Sequence, residues 1–210
     1  PDFGQVISDN VVNNLTPFEI QFQENRQFFT EGTELFNKAG LFYSRRIGGT
    51  PGKYNAVKNF VNNNSEWRIV KNPSVTQLYN AAKFSGRNEK NLGIGIFNAI
   101  TAPMEAKIRN TFSGKDSVIQ TESLANYNII VLDQALKGRS FITFTNTNVM
   151  RNGDARYDNV TALDFGFYGK KNIYGLTGAV RYSKIWGANP SDGYNTRLRF
   201  GKVSGNWQYF

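Results

Sequence analysis

Thr161-Ala162-Leu163-Asp164-Phe165-Gly166-Phe167-Tyr168, the turn Gly169-Lys170-Lys171-Asn172, and Tyr174-Gly175-Leu176-Thr177-Gly178-Ala179-Val180-Arg181-Tyr182-Ser183 together decide the fold. In an extended chain successive side chains point to opposite faces. Thr161, Leu163, Phe165 and Phe167 therefore share one face of the first run, and Tyr174, Leu176, Gly178, Val180 and Tyr182 share one face of the second. The other face of the second run is small, polar or cationic: Gly175, Thr177, Ala179, Arg181 and Ser183. Two such runs joined by Gly and Asn turn chemistry predict an antiparallel hairpin, greasy on one side only.

The same pattern extends in both directions. Downstream, after the polar loop from Trp186 to Gly193, Thr196, Leu198 and Phe200 oppose Arg197, Arg199 and Gly201, and Ser204-Gly205 turns the chain toward Trp207 and Tyr209. Upstream, alternation runs from Val75 to Phe84, and the segments Tyr127 to Gln134 and Phe141 to Met150 follow. In Leu92-Gly93-Ile94-Gly95-Ile96 one face carries no side chains at all, the signature of a wall that curves tightly or is approached by another backbone.

Composition removes several alternatives. Among 210 residues there is no His and no Cys, so His-assisted triads, thiol nucleophiles, disulfides and the usual zinc, haem and iron–sulfur ligand sets are excluded. No cofactor is expected. The 26 Asn and 20 Gly favour turns and polar strand faces over helix. Mean hydropathy is −0.47 and the formal charge is +9. The cations are scattered singly, with Arg45-Arg46 and Lys170-Lys171 the densest runs, so no nucleic-acid partner is expected. No apolar run approaches the roughly 20 residues of a membrane helix. Pro1-Asp2-Phe3-Gly4 has neither initiator Met nor a leader's apolar region, as expected of a mature chain or of a piece of a longer one.

Long alternating strands, hairpins and aromatics toward strand ends are what a membrane β-barrel requires. In lipid every backbone N–H and C=O must pair within the protein, and a closed sheet achieves this with strands. The fold expected is all-β, an antiparallel up-and-down transmembrane β-barrel of outer-membrane type, either whole or as part of a larger barrel. Period two alone leaves open a soluble β-sandwich, whose greasy faces would meet each other. In the barrel reading Arg181, Arg197 and Arg199 face the lumen, and Tyr168, Tyr174, Tyr182, Trp186 and Trp207 are interface aromatics. Residues 1–74 would hold an opening barrel strand, an irregular lumen or rim loop and an early strand. Residues 75–210 would form the meander.

The first third lacks a clean period. Thr33 to Lys38 reads as a short helix, Gly40 to Gly49 as a strand ending in a glycine turn, and Asn62-Asn63-Asn64-Ser65 as a solvent loop. Here, however, a resemblance emerges. Pro1-Asp2-Phe3-Gly4-Gln5-Val6, Glu24-Asn25-Arg26-Gln27-Phe28-Phe29-Thr30-Glu31-Gly32 with Leu35-Phe36, and Phe42-Tyr43-Ser44-Arg45-Arg46-Ile47-Gly48 resemble an outer-membrane family of Bacteroidota. Leu78 to Arg87, Gly93-Ile94-Gly95 and Asn146 to Arg151 fit it as well, so the similarity spans the chain. In that family a carbohydrate-binding-like β-sandwich of the family-9 module type precedes a membrane β-barrel. The resemblance implies that this chain is the opening part of the barrel. Asn25 and Gln27 depart from the family's basic residue and proline.

Glu24, Arg26, Glu31, Arg45 and Arg46 are the charged residues within these motifs. They read either as a charge constriction that selects solutes or as a salt-bridge network pinning an inserted loop. A glycosidase carboxylate pair, Glu24 with Glu31 or Asp154 with Asp158, would need a fixed separation that loop spacing does not supply, and no enzymatic activity is expected. The functional expectation is a non-enzymatic protein of the bacterial outer membrane that passes or captures a small solute such as a glycan fragment. Its partners would be outer-membrane lipid, that solute and other envelope proteins. The alternatives are a structural or assembly component of an envelope complex that anchors the upstream module, and a soluble carbohydrate-binding sandwich.

Overall fold

The computed structural model describes residues 23–153 and 156–209. In chain order these hold α1 (Gln27–Thr30), a 3-10 turn at Ser44–Arg46, α2 (Tyr54–Asn63), β1 (Trp67–Lys71), β2 (Leu78–Arg87), β3 (Leu92–Thr101), β4 (Met104–Asn110), β5 (Asp116–Glu122), β6 (Ala125–Ala135), β7 (Phe141–Arg151), β8 (Tyr157–Tyr168), β9 (Tyr174–Trp186) and β10 (Ser191–Lys202). The fold is all-β and antiparallel, as the alternation predicts. Its strands form two sheets, one ordered β1-β4-β5 and the other β10-β9-β8-β7-β6-β3-β2. From β6 to β10 the larger sheet is an up-and-down meander in chain order. Among the described residues it does not close, and β2 and β10 are its edges.

Two compact units divide the chain. The first takes the described part of Pro1–Glu31, with Tyr43–Asn80 and Thr101–Leu124. It includes the three-stranded sheet, against which α2 lays the apolar side defined by Val57 and Val61; Val57, Ala106 and Ile108 form its buried centre, flanked by Trp67 and Ile119. The one-meander expectation is corrected here, because residues 104–122 leave the larger sheet between β3 and β6. Two local expectations change as well. Asn62 and Asn63 are the last residues of α2 rather than a loop. Residues 40–49 hold the 3-10 turn Ser44–Arg46 and no strand, for a reason that lies in Arg26.

The second unit takes Gly32–Phe42, Ala81–Ile100 and Ala125–Phe210. Cross-strand register sorts its two faces into rows. On one face Leu132, Phe144, Leu163, Val180 and Thr196 stand in line across β6 to β10. Flanking rows are Ile142–Phe165–Gly178–Leu198 and Phe167–Leu176–Phe200. This face is exposed: Val180 keeps 47%, Leu198 70% and Phe200 61% of its accessible surface. The opposite face is packed, with Val131, Ala162 and Ala179 wholly buried and Thr143 and Thr145 nearly so.

A polar row bounds the apolar rows. Asn128, Asn148, Asn159, Lys184 and Asp192 lie directly opposite one another in turn across five strands. Their amides satisfy each other. Asn128 Nδ2 donates to Asn148 Oδ1 at 3.1 Å, Asn98 Nδ2 to Asn128 Oδ1 at 2.8 Å, and Asn146 Nδ2 to Thr161 Oγ1 at 2.8 Å. Beyond that row Tyr157 and Trp186 pack ring on ring at 4.8 Å, with the Lys184 ammonium 5.4 Å from the indole. The excess of Asn seen in the composition is thus partly spent on a hydrogen-bonded belt across the exposed face.

Candidate functional site

The packed face of the larger sheet is the site the sequence points to, and segment 32–42 lies across it. Gly32 and Gly40, both in the left-handed region at φ 57° and 63°, bracket the segment. Between them the chain makes tight turns, Asn37 N–H donating to Thr33 O at 3.0 Å and Gly40 N–H to Asn37 O at 3.1 Å, instead of the expected helix. The bare face of Gly93 and Gly95 receives it. A Cβ on Gly95 would stand 3.1 Å from the Phe36 ring, and one on Gly93 2.9 Å from Leu35 Cδ2. Phe36, Phe42 and Phe97 then pack together, with Phe36 centred 6.3 Å and Phe42 5.3 Å from Phe97. The alternate glycines therefore serve a close approach, one of the two uses that their spacing allows.

Further along, charge takes over from packing. Lys38 Nζ lies 2.7 Å from Asp133 Oδ2, and the Arg87 guanidinium reaches the same oxygen. Thr143 Oγ1 donates to Asp133 Oδ1 at 2.7 Å. Asp133 is fully buried in the middle of β6, so its ionised form requires these donors. Next along the segment, Ala39 O accepts from Arg181 at 3.1 Å, and Arg181 also holds Asp164 Oδ1 at 3.1 Å. Asp133, Thr143, Asp164, Ala179 and Arg197 form a single cross-strand row. Asp133 was not singled out from sequence, and no spacing rule would have found it, because its partners lie 95 and 46 residues away.

Arg181, Arg197 and Arg199 fall on this packed, polar face, the one opposite the apolar rows. Tyr174, Tyr182 and Trp186 lie on the apolar face and Trp207 is exposed beyond β10. Tyr168 does not share that face with Tyr174, Tyr182 and Trp186. It is paired with Gly175 on the polar face, where a Cβ on that glycine would meet its ring at 2.8 Å, and the Arg139 guanidinium sits 5.0 Å from the ring.

Of the five charged residues expected to cluster in the first unit, Glu24 and Arg26 bind each other directly. Arg26 NH2 binds Glu24 Oε2 at 2.7 Å and Ser44 O at 2.9 Å, while NH1 binds Ile47 O at 2.7 Å. Arg45 Nε donates to Gln23 O at 2.7 Å. These bonds explain the lost strand: the guanidinium of Arg26 takes carbonyls that a strand would have offered to a neighbour. Arg26 also stacks on Phe29 at 4.0 Å. Burial opposes ionisation of Glu24, but the hydrogen bonds from Arg26 and Ser44 outweigh it and lower its pKa from 4.5 to about 2. Glu31 accepts from Gln27 at 2.7 Å, and Arg46 lies over the Tyr43 ring at 5.7 Å; both are exposed.

Of the two carboxylate pairs, Asp154 lies outside the described residues together with the motif from Pro1 to Val6, and Asp158 is clamped between Arg151 and Arg156. Among the described residues no group of three or more acidic side chains could hold a metal ion, and no helix is long and apolar enough to cross a membrane, which says nothing of strands.

No curated protein and no solved structure matches the chain. A protein-family profile described as "Domain of unknown function (DUF5916)" matches residues 1–210, and the chain belongs to that family.

Proposed function

We propose that the larger sheet is part of the wall of an outer-membrane β-barrel, that segment 32–42 is a plug seated on its lumen face, and that the protein passes or captures a small solute. The observation that carries this reading is the inversion of the sheet: its apolar face is exposed and its polar face is packed. A soluble sandwich does the reverse, burying the greasy face against a second layer. Hydrocarbon is the solvent that rewards the arrangement found here.

Three further features support it. A tilted strand needs about 9–11 residues to cross the hydrocarbon. The strands of the larger sheet have 10 to 13, and those of the smaller only 5 to 7. The Asn–Lys–Asp row with Tyr157 and Trp186 beyond it suits the boundary where hydrocarbon gives way to water. An Arg on the lipid face would cost roughly 2–4 kcal/mol at the midplane, and Arg181, Arg197 and Arg199 all lie on the other side. The resemblance to Bacteroidota outer-membrane proteins with an upstream sugar-module-like domain points the same way.

The reading is non-enzymatic. Glu24, one member of the carboxylate pair that the sequence offers, is committed to Arg26 and Ser44, which hold it ionised and unsuited to the role of general acid. A second reading, a barrel that anchors its upstream module within an envelope complex, is favoured by the Lys38–Asp133–Arg87 cluster, which locks the plug in place. Conductance and liposome swelling with the full-length protein separate the two. Solute-dependent swelling supports passage, and a silent, inserted barrel supports the anchor. Full-length protein that stays monomeric in water without detergent contradicts both.

A further inference from the structure

We propose that Arg181, Arg197 and Arg199 form an anion-binding stripe, so that the solute handled by this protein carries phosphate, sulfate or carboxylate groups. This deepens the preceding reading and rests on it for the word solute. In register, Arg197 stands opposite Ala179, Arg199 opposite Thr177, and Arg181 opposite Asn195. Arg197 and Arg199 thus stand two residues apart on one face of β10, and Arg181 is the diagonal neighbour of Arg197 on β9, so the three follow one another along a stripe with Arg181 and Arg199 at its ends. The residues of β9 opposite Arg199 and Arg197 are small, Thr177 and Ala179. A ligand resting there would meet the planar donor forks beside short side chains.

Among the described residues the charge on this stripe is not balanced. Arg181 is committed to Asp164 and to Ala39 O. Arg197 and Arg199 are exposed and, among the described residues, make no hydrogen bond and no ion pair. Asp164 attracts Arg197 through space but is already bonded to Arg181, which leaves one carboxylate for three cations. Other neighbouring cations of the sheets do meet a carboxylate: Lys107 and Arg109 share Asp116, and Arg151 and Arg156 share Asp158. Arg197 and Arg199, two residues apart on one face, have no such shared partner among the described residues. Guanidinium forks match the geometry of oxyanions and bind them bidentately, which makes an anion the fitting counterpart. Along a confined polar wall such charge also concentrates anions from solution.

The test uses the full-length protein folded in detergent micelles and titrated calorimetrically with inorganic tripolyphosphate, with maltotriose as a neutral control. The proposal expects tripolyphosphate to bind, to bind more weakly as salt is raised, and maltotriose at equal concentration to give no signal. R197Q/R199Q should weaken binding at least about tenfold, the scale of one lost charge-assisted hydrogen bond. R197K/R199K, which keeps the charge but not the planar fork, should fall between the parent and the glutamine pair. Absence of tripolyphosphate binding, as expected if acidic residues of another strand cover the β10 edge, would overturn the proposal. So would unchanged affinity in the glutamine pair, an equal loss in the lysine pair, or equal binding of maltotriose. Lipid exposure of the apolar face is read by a separate measurement, so an anion-binding protein with a protein-covered apolar face would sink the membrane reading and leave this stripe standing.

Discussion

Lys38 Nζ sits 2.7 Å from Asp133 Oδ2, joining two residues 95 positions apart and fixing the segment between Gly32 and Gly40 to the middle of β6. Asp133 also serves Arg87 and Thr143, so one buried carboxylate organises the polar face. Asp133→Asn leaves two cations facing a neutral amide. Losing one member of a buried ionic cluster costs roughly 3 kcal/mol, and Asp133→Asn should lose about that in denaturant titrations. Lys38→Met should lose less, because Arg87 still neutralises the carboxylate. Equal losses in the two variants would show that the segment is held by packing rather than by this cluster.

The glycine floor gives an independent handle on the same segment. Gly95→Leu places a side chain where Phe36 now rests, since even a Cβ would stand 3.1 Å from that ring. Displacing the segment should raise proteolytic cleavage between Gly32 and Phe42 while the strand content, read by circular dichroism, stays unchanged. Under the proposed function, channel conductance should rise in the same variant.

Phe165 lies over Gly178 on the apolar face, directly opposite in register. A Cβ on Gly178 would come within 2.3 Å of the ring, so Gly178→Ala must push the ring aside. Overpacking of this kind costs about 1–3 kcal/mol. The double variant Gly178→Ala with Phe165→Leu should recover part of the loss, and strict additivity in the thermodynamic cycle would contradict the contact.

Glu24 supplies a pH signature. Its pKa is lowered by folding, so its contribution to stability is fully present above the unfolded value near 4.5 and disappears as pH falls through about 2. Between those values the stability difference between the parent and Glu24→Gln should shrink toward zero. A difference that stays constant through that window would mean that Glu24 is not paired with Arg26 in solution.

Much of the larger sheet was legible in the sequence. Alternation at period two locates β8, β9 and β10 and assigns Arg181, Arg197 and Arg199 to one face, because burial of one side constrains every second residue. The same counting places Tyr168 with Asp164 and Gly166, and its proximity to the strand end was a misleading cue. The Asn belt was hidden, since Asn98, Asn128, Asn148 and Asn159 meet only once strand register is known. Asp133 and Lys38 were hidden for the same reason. Helix α2 was obscured by its Asn and Lys residues, although Val57, Phe60 and Val61 keep helical spacing. Residues 40–49 read as a strand ending in a turn until Arg26 is known to occupy the carbonyls of Ser44 and Ile47.

Spin labels placed one at a time at residues 196–200 of β10, in full-length protein reconstituted into lipid bilayers, test the central claim most directly. Labels at 196, 198 and 200 should be open to dissolved oxygen and closed to a water-soluble nickel complex, and labels at 197 and 199 should show the opposite. Labels at 198 and 200 that are immobilised and shielded from both reagents would contradict the account, because protein rather than hydrocarbon would then cover that face.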